Sequence, residues 1–183
     1  AISPTLVEPE SGAPSSKLDA MTGLLRDILA EEHRVLIFSQ FTSYLAEIRA
    51  RLEAEGVSFS YLDGGTRDRD AAIRAFTEGN TQVFLISLKA GGVGLNLTQA
   101  DYVIVADPWW NPAAEAQAID RAHRIGQTQP VTVYRLVSAN TIEDKVVALQ
   151  DTKRALSSAF LEPTGSATGG AALDAAAIRD LLA

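Results

Sequence analysis

VFLISLKAGGVGLNLTQADYVIVADPWWNP (83–112) decides the fold. It opens on a short apolar run, VFLIS (83–87), and reaches a second, YVIVA (102–106). Both are rich in β-branched residues and bounded by turn formers, as buried strands are. Between them lies a turn with glycines at 91, 92 and 94. The stretch closes on Asn111 and Pro112, an N-cap followed by proline at the first helical position, which predicts a helix over 112–124.

The same alternation continues outward in both directions. Upstream, Ser16 with Asp19 three positions on marks a helix start, and Leu18, Met21, Leu24, Leu25, Ile28 and Leu29 recur at helical spacing up to a stop near Glu32. VLIF (35–38) reads as a strand. A helix over 43–55 shows Leu45, Ile48 and Leu52 on one face and ends at Gly56. Strand VSFSYL (57–62), the turn DGG (63–65) and a helix over 68–77 follow. Downstream come strand VTVYRLV (131–137) and a long helix over 141–160. Strands separated by helices, most of them near-continuously apolar, define an α/β fold with a mostly parallel sheet covered on both faces. Residues 1–15 read as a loose leader, 16–161 as the folded domain, and 162–183 as a linker and short terminal helix. There is no internal repeat.

In such folds ligands gather at the carboxyl ends of the strands. Every unusual polar segment here follows a strand: SQFT after 35–38, DGGT after 57–62, LKAGGVGLN after 83–87 and DPWWNP after 102–106. That clustering turns a fold into a candidate site.

Composition narrows the function classes. The chain is 46% apolar and 21% charged, as ordinary soluble globular proteins are. It lacks cysteine, which excludes disulfides and thiolate-held metals. No apolar run approaches the ~18 residues of a membrane span, and no secretory signal pattern opens the chain, so it reads as soluble and intracellular. The net charge of −7 argues against a general polyanion binder. Yet residues 61–140 carry seven basic against eight acidic side chains, so the local net is −1 and the remaining −6 lies in the flanks. Phosphate contacts are local, and a basic groove can coexist with an acidic body.

QAIDRAHRIGQ (117–127) carries the most chemistry. On a helix through 124, Gln117, Arg121 and Arg124 are spaced four and three apart and share one face. Planar guanidinium forks suit a polyphosphate and can stabilise charge as phosphoryl transfer proceeds. On spacing alone, two solvated arginines or an ordinary ion pair with Asp120 is the plainer reading. SLKAGGVGLNLTQAD (87–101) lets backbone N–H groups approach phosphate or sugar closely. It is not a Walker phosphate loop, because no Gly-Lys-Ser/Thr follows, and a bare tight turn explains it as well. Of the adjacent tryptophans in DPWWNP, one belongs in the core and the other, taken as Trp110, offers a stacking or wedging surface. Ser39, Gln40 and Thr66 at strand ends could donate to phosphates, or serve as satisfied loop polar groups. His33 and His123 are too far apart and too unaccompanied for a metal site.

Together and in this order, these segments resemble the SWI/SNF family of DNA-dependent ATPases in helicase superfamily two. VLIFSQF (35–41) looks like motif IV, and YLDGGT (61–66) with Arg69 and Phe76 like the block that follows it. SLKAGGVGLNLT is similar to motif V, DPWWNP to the segment after it, and QAIDRAHRIGQ to motif VI. The similarity runs over residues 16–161, and RAHRIGQ soon after AGGVGLNL is its most specific part. Gly65 departs from the serine that many members carry.

The resemblance implies the second, RecA-like lobe of a two-lobed motor: a three-layer α/β/α sandwich. The first lobe's Walker lysine and DEAH-type box have no counterpart here, so the chain reads as an excised C-terminal lobe or a fragment of a longer protein. By the same resemblance, Arg121 and Arg124 are arginine fingers toward ATP and Mg2+ held mainly by the first lobe, and Gln117 helps place them. Gly94 and Asn96 lie near the nucleotide edge. Ser39, Gln40, Thr66, Lys89, Gly91 and Gly92 line a DNA backbone track, and Trp110 touches the opposite strand. The implied partners are double-stranded DNA, the first lobe and a DNA-bound protein substrate, with no membrane. Ala/Leu/Arg/Asp bias and a short lobe without insertions point to a bacterial, nucleoid-associated protein in the cytoplasm, or a nuclear one in a eukaryote. Two rivals stand beside this: an RNA-helicase lobe, against which HRIGQTQP in place of HRxGRxGR argues, and a stand-alone α/β interaction module.

Overall fold

The computed structural model describes residues 15–90, 95, 97–109, 111–120, 130–139 and 141–161, the side chains at 114, 118 and 153–161 excepted. Five strands, β1 (Val35–Ser39), β2 (Phe59–Leu62), β3 (Val83–Ser87), β4 (Tyr102–Val105) and β5 (Thr132–Arg135), form one sheet in the order β2-β3-β1-β4-β5. Every pairing is parallel. The helices between them are α1 (Ser16–Ala30), α2 (Thr42–Ala54), α3 (Arg69–Thr77), α4 (Pro112–Ile119) and α5 (Ile142–Leu161). None of the described helices is long and apolar enough to cross a membrane.

The two-residue period of the strands divides the core. Val35, Ile37, Val83, Leu85 and Ile104 point to one face, where α1 supplies Met21, Leu25 and Ile28 and α2 supplies Tyr44, Leu45, Ile48 and Leu52. Leu36, Phe38, Phe84, Ile86, Val103 and Val105 point to the other, against Phe76 of α3, with Ile119 of α4 packed alongside. Both sides of β1 and β3 are therefore buried along their whole length, which is why their sequences are apolar without alternation.

Several boundaries differ from the sequence expectation for identifiable reasons. The cap of α1 is Ser15, in extended conformation with its hydroxyl accepting from the Leu18 N–H; Ser16 is already helical. The helix stops at Ala30, short of Glu32, because Glu32 adopts a left-handed φ of 60° and the His33 N–H returns to the Ile28 carbonyl. Gly56, at φ 69°, ends α2 as expected. Val57 still donates to the Leu52 carbonyl, which delays β2 until Phe59. β5 is shorter than 131–137, lies at a sheet edge and, among the described residues, is mostly exposed. Its Tyr134 stacks on Tyr102 with the rings 8° from parallel. The described part of α4 ends at Ile119, with the Asp120 N–H still donating to the Ala116 carbonyl.

Candidate functional site

In the order β2-β3-β1-β4-β5 the chain leaves β1 toward β2 and leaves β4 toward β5. The carboxyl ends of β1 and β4 are therefore the topological switch point, where open α/β sheets place their ligand crevice. Asp107, just beyond β4, fills this position. It is 1% exposed and accepts hydrogen bonds from the Ser39 hydroxyl and, at 3.2 Å, from the Gln40 N–H, both at the end of β1. The Gln40 side chain in turn donates to the Pro108 carbonyl at 3.1 Å.

Burial pushes the Asp107 carboxyl above its ordinary range, against the lowering influence of Ser39, Gln40 and the Lys17 ammonium. Below it, the Tyr44 hydroxyl is buried without a hydrogen-bond partner among the described residues. Its acidity is suppressed, first by desolvation and then by the charges of Asp107, Glu143 and Glu47. An ionised Asp107 is thus a cost that the fold carries. We expect Asp107→Asn to be at least as stable as the parent at pH 7. Its carbonyl can take the Gln40 N–H, and its amide can donate to Ser39 once that hydroxyl turns to the Phe41 carbonyl 3.2 Å away. Asp107→Ala strands those donors and should lose about 1–3 kcal/mol. A carboxyl whose folded pKa is raised favours the folded state below its unfolded pKa and loses that contribution as pH rises through the folded value. The advantage of Asp107→Asn should therefore shrink as urea unfolding is repeated at lower pH; an advantage that grows on acidification would contradict this account.

Ser39 is fully buried, its hydroxyl engaged with Asp107 and the Phe41 N–H. Gln40 is half-buried, and Lys89 is exposed just after β3. Thr66 sits in the turn after β2, where its hydroxyl donates to Asp63 at 3.1 Å and accepts from the Asp63 N–H at 2.9 Å. Burial raises the Asp63 carboxyl, but hydrogen bonds from Gly65, Thr66 and Tyr61 outweigh it and hold the group below its ordinary value. Arg69 reaches from α3 to the Ala90 carbonyl at 2.6 Å, tying the turn after β3 to the helix after β2. Gln117 is exposed on α4, and Trp109 packs against the core. Gly91, Gly92, Gly94, Asn96, Trp110, Arg121 and Arg124 lie outside the described residues. His33 stands at the opposite end of the sheet, hydrogen-bonded to Asp101. Among the described residues no group of three or more His, Asp or Glu could hold a metal.

Sequence reasoning missed a second layer. Glu115 of α4 is fully buried; it accepts from the Trp109 N–H at 3.4 Å, the Arg135 Nε at 2.5 Å and the Gln150 amide at 3.0 Å. Lys17 and Glu143 pair at 2.7 Å, each side chain 6% exposed, and join α1 to the start of α5. A lone acid in the alanine-rich first turn of α4 was a usable signal for Glu115. The Lys17–Glu143 pair spans 126 positions and left no local trace.

A five-stranded, all-parallel sheet with helices on both faces is the architecture of a RecA-like α/β lobe. Residues 16–126 match the helicase conserved C-terminal domain family. The SNF2 domain-containing protein ENL1 of Oryza sativa subsp. japonica is 45% identical over 145 residues, 78% of this chain and 15% of that protein. The DNA repair protein rad8 of Schizosaccharomyces pombe is 44% identical over 144 residues, 76% of this chain and 13% of its own length. The crystal structure of the C-terminal part of the Fun30 ATPase domain superposes with a TM-score of 0.70 at 40% identity, covering 74% of this chain and 45% of that one. The chain belongs to the helicase C-terminal domain family, and the relatives it resembles include a SNF2 domain-containing protein. It spans only a small part of its curated relatives. A bacterial source finds no support among these relatives, which are a plant and a yeast protein.

Proposed function

We propose that this chain is the second motor lobe of an ATP-dependent double-stranded DNA translocase. The observation that carries the reading is the alignment of four polar strand-end segments on one sheet edge, next to the helix that leads into RAHRIGQ. Family membership supports the same reading. In this proposal ATP and Mg2+ are held by a first lobe, and Arg121 and Arg124 reach across to the γ-phosphate while Gln117 helps to place them. Gly94 and Asn96 face the nucleotide edge. Gln40, Lys89, Gly91 and Gly92 follow the phosphate backbone, and Trp110 meets the opposite strand.

The buried Ser39 hydroxyl acts through Asp107 and Gln40, holding the donor in place. Thr66 shapes the turn after β2 through its bonds to Asp63. ATP closes the lobes, the arginines complete the site, and hydrolysis reopens the cleft while the grip moves along DNA. The name of the repair relative favours a nuclear location.

Nucleic-acid choice tests this reading against an RNA-helicase lobe. The full-length ATPase should be stimulated by blunt double-stranded DNA far more than by single- or double-stranded RNA at equal nucleotide concentration. Equal or greater stimulation by RNA rejects the DNA assignment. No stimulation by either returns the chain to the class of α/β interaction modules.

A further inference from the structure

We propose that Glu115 and Gln150 are positioning residues, which hold the turn over 107–109 between α4 and α5 and transmit DNA engagement there to the arginine-bearing segment. The inference rests on the motor-lobe reading above. Three consecutive residues of the turn are tied to three different elements. Asp107 and the Pro108 carbonyl are held from the end of β1 by Ser39 and Gln40. The Trp109 N–H donates to Glu115 of α4, and the Trp109 carbonyl accepts from the amide of Gln150 on α5. Glu115 and Gln150 also bond each other at 3.0 Å, so the two main-chain groups of Trp109 lie in one closed loop of side chains.

This arrangement exceeds what a stable turn needs. Glu115 is 0% exposed and Gln150 2%, and burying a carboxylate carries a desolvation penalty that apolar packing avoids. Buried polar networks that are fully satisfied tend to enforce one geometry. The geometry enforced here joins two places of interest. Trp109 directly precedes Trp110, the residue assigned to DNA. Glu115 lies two positions before Gln117 on the helix that leads toward Arg121 and Arg124. A displacement of the turn therefore moves α4 through Glu115, without passing through the sheet.

The chemistry of the clamp predicts a graded series in the full-length enzyme. Arg135 donates to Oε1 of Glu115 and has a 41% exposed side chain, so it can turn to water when its partner is lost. Glu115→Gln can point its carbonyl oxygen at Trp109 and Gln150, with its amide on the side from which Arg135 turns away to water; it should keep most of the DNA stimulation. Glu115→Ala and Gln150→Ala each open the loop. Each should lower the ratio of DNA-stimulated to DNA-free ATPase on the order of tenfold, short of the ~10²-fold that a 1 Å misplacement can cost. The double variant should be no worse than either single one, because both break the same clamp.

A purely structural role would lower the stimulated and DNA-free rates together, in step with the unfolded fraction, and leave their ratio unmoved. The assay thus measures both rates, DNA affinity by anisotropy, and thermal midpoints, at a temperature where the variants are folded. An unchanged ratio in Gln150→Ala overturns the proposal, even if Glu115→Ala fails to fold. So does a ratio that falls only because DNA affinity has fallen equally. Arg124→Ala, run alongside, separates the two levels. If it abolishes hydrolysis while the clamp variants keep the parental ratio, the clamp alone is wrong; if the parent itself shows no hydrolysis that DNA stimulates, the motor-lobe reading is wrong as well.

Discussion

Full-length protein carrying Arg124→Ala is expected to lose DNA-stimulated ATPase activity by a factor on the order of 10³–10⁵, the range that an arginine finger contributes to phosphoryl transfer. Charge builds on the equatorial oxygens of the transferring phosphoryl group, and a guanidinium aimed at them acts mainly in the transition state. The loss should therefore appear in kcat, with ATP binding on the first lobe little changed. Arg124→Lys should recover only part of the rate, since an ammonium keeps the charge but loses the planar two-pronged contact. Circular dichroism of the 183-residue chain should match the parent for both variants. Hydrolysis at the parental rate by Arg124→Ala would remove this residue from the catalytic set.

The strand and helix alternation was legible because it rests on local physics. β1 and β3 are buried on both faces, so VLIF and VFLIS stand out as unbroken apolar runs. Asn111–Pro112 and Gly56 mark helix ends through capping chemistry that depends on a few neighbouring residues. VTVYRLV reads as a longer buried strand than β5 is, because its edge position is visible only in the sheet order. The switch point was legible as a cluster of polar strand ends, yet its central residue was not. Asp107 reads in sequence as an ordinary turn acid before proline; only the parallel register of β1 and β4 places it under Ser39 and Gln40. Glu115 and Gln150 meet across 35 positions, and nothing in either segment names the other. Long-range polar pairing is where local patterning ends and topology takes over.

The largest stability effect in the domain is expected at such a pair. Lys17→Met should lower the unfolding free energy of the 183-residue chain by about 3–5 kcal/mol, the loss that follows when a buried ion pair is broken from one side. Both carboxylate oxygens of Glu143 face the Lys17 ammonium, at 2.7 and 2.9 Å. With both side chains 6% exposed, water cannot replace the lost cation without opening the packing between α1 and α5. The effect belongs to the stranded charge and not to the lost attraction, and a second substitution tells these apart. Glu143 also accepts the Ser138 N–H at 2.7 Å, which a glutamine carbonyl can still do. Lys17→Met with Glu143→Gln should therefore recover most of the stability, with the urea midpoint moving back while the slope stays constant. A single-variant loss below 1 kcal/mol, or a double variant no better than the single, would show that the pair is solvated. The tie between α1 and α5 would then not be what holds the first turn of α5, and with it Gln150 two turns further on, against the lobe.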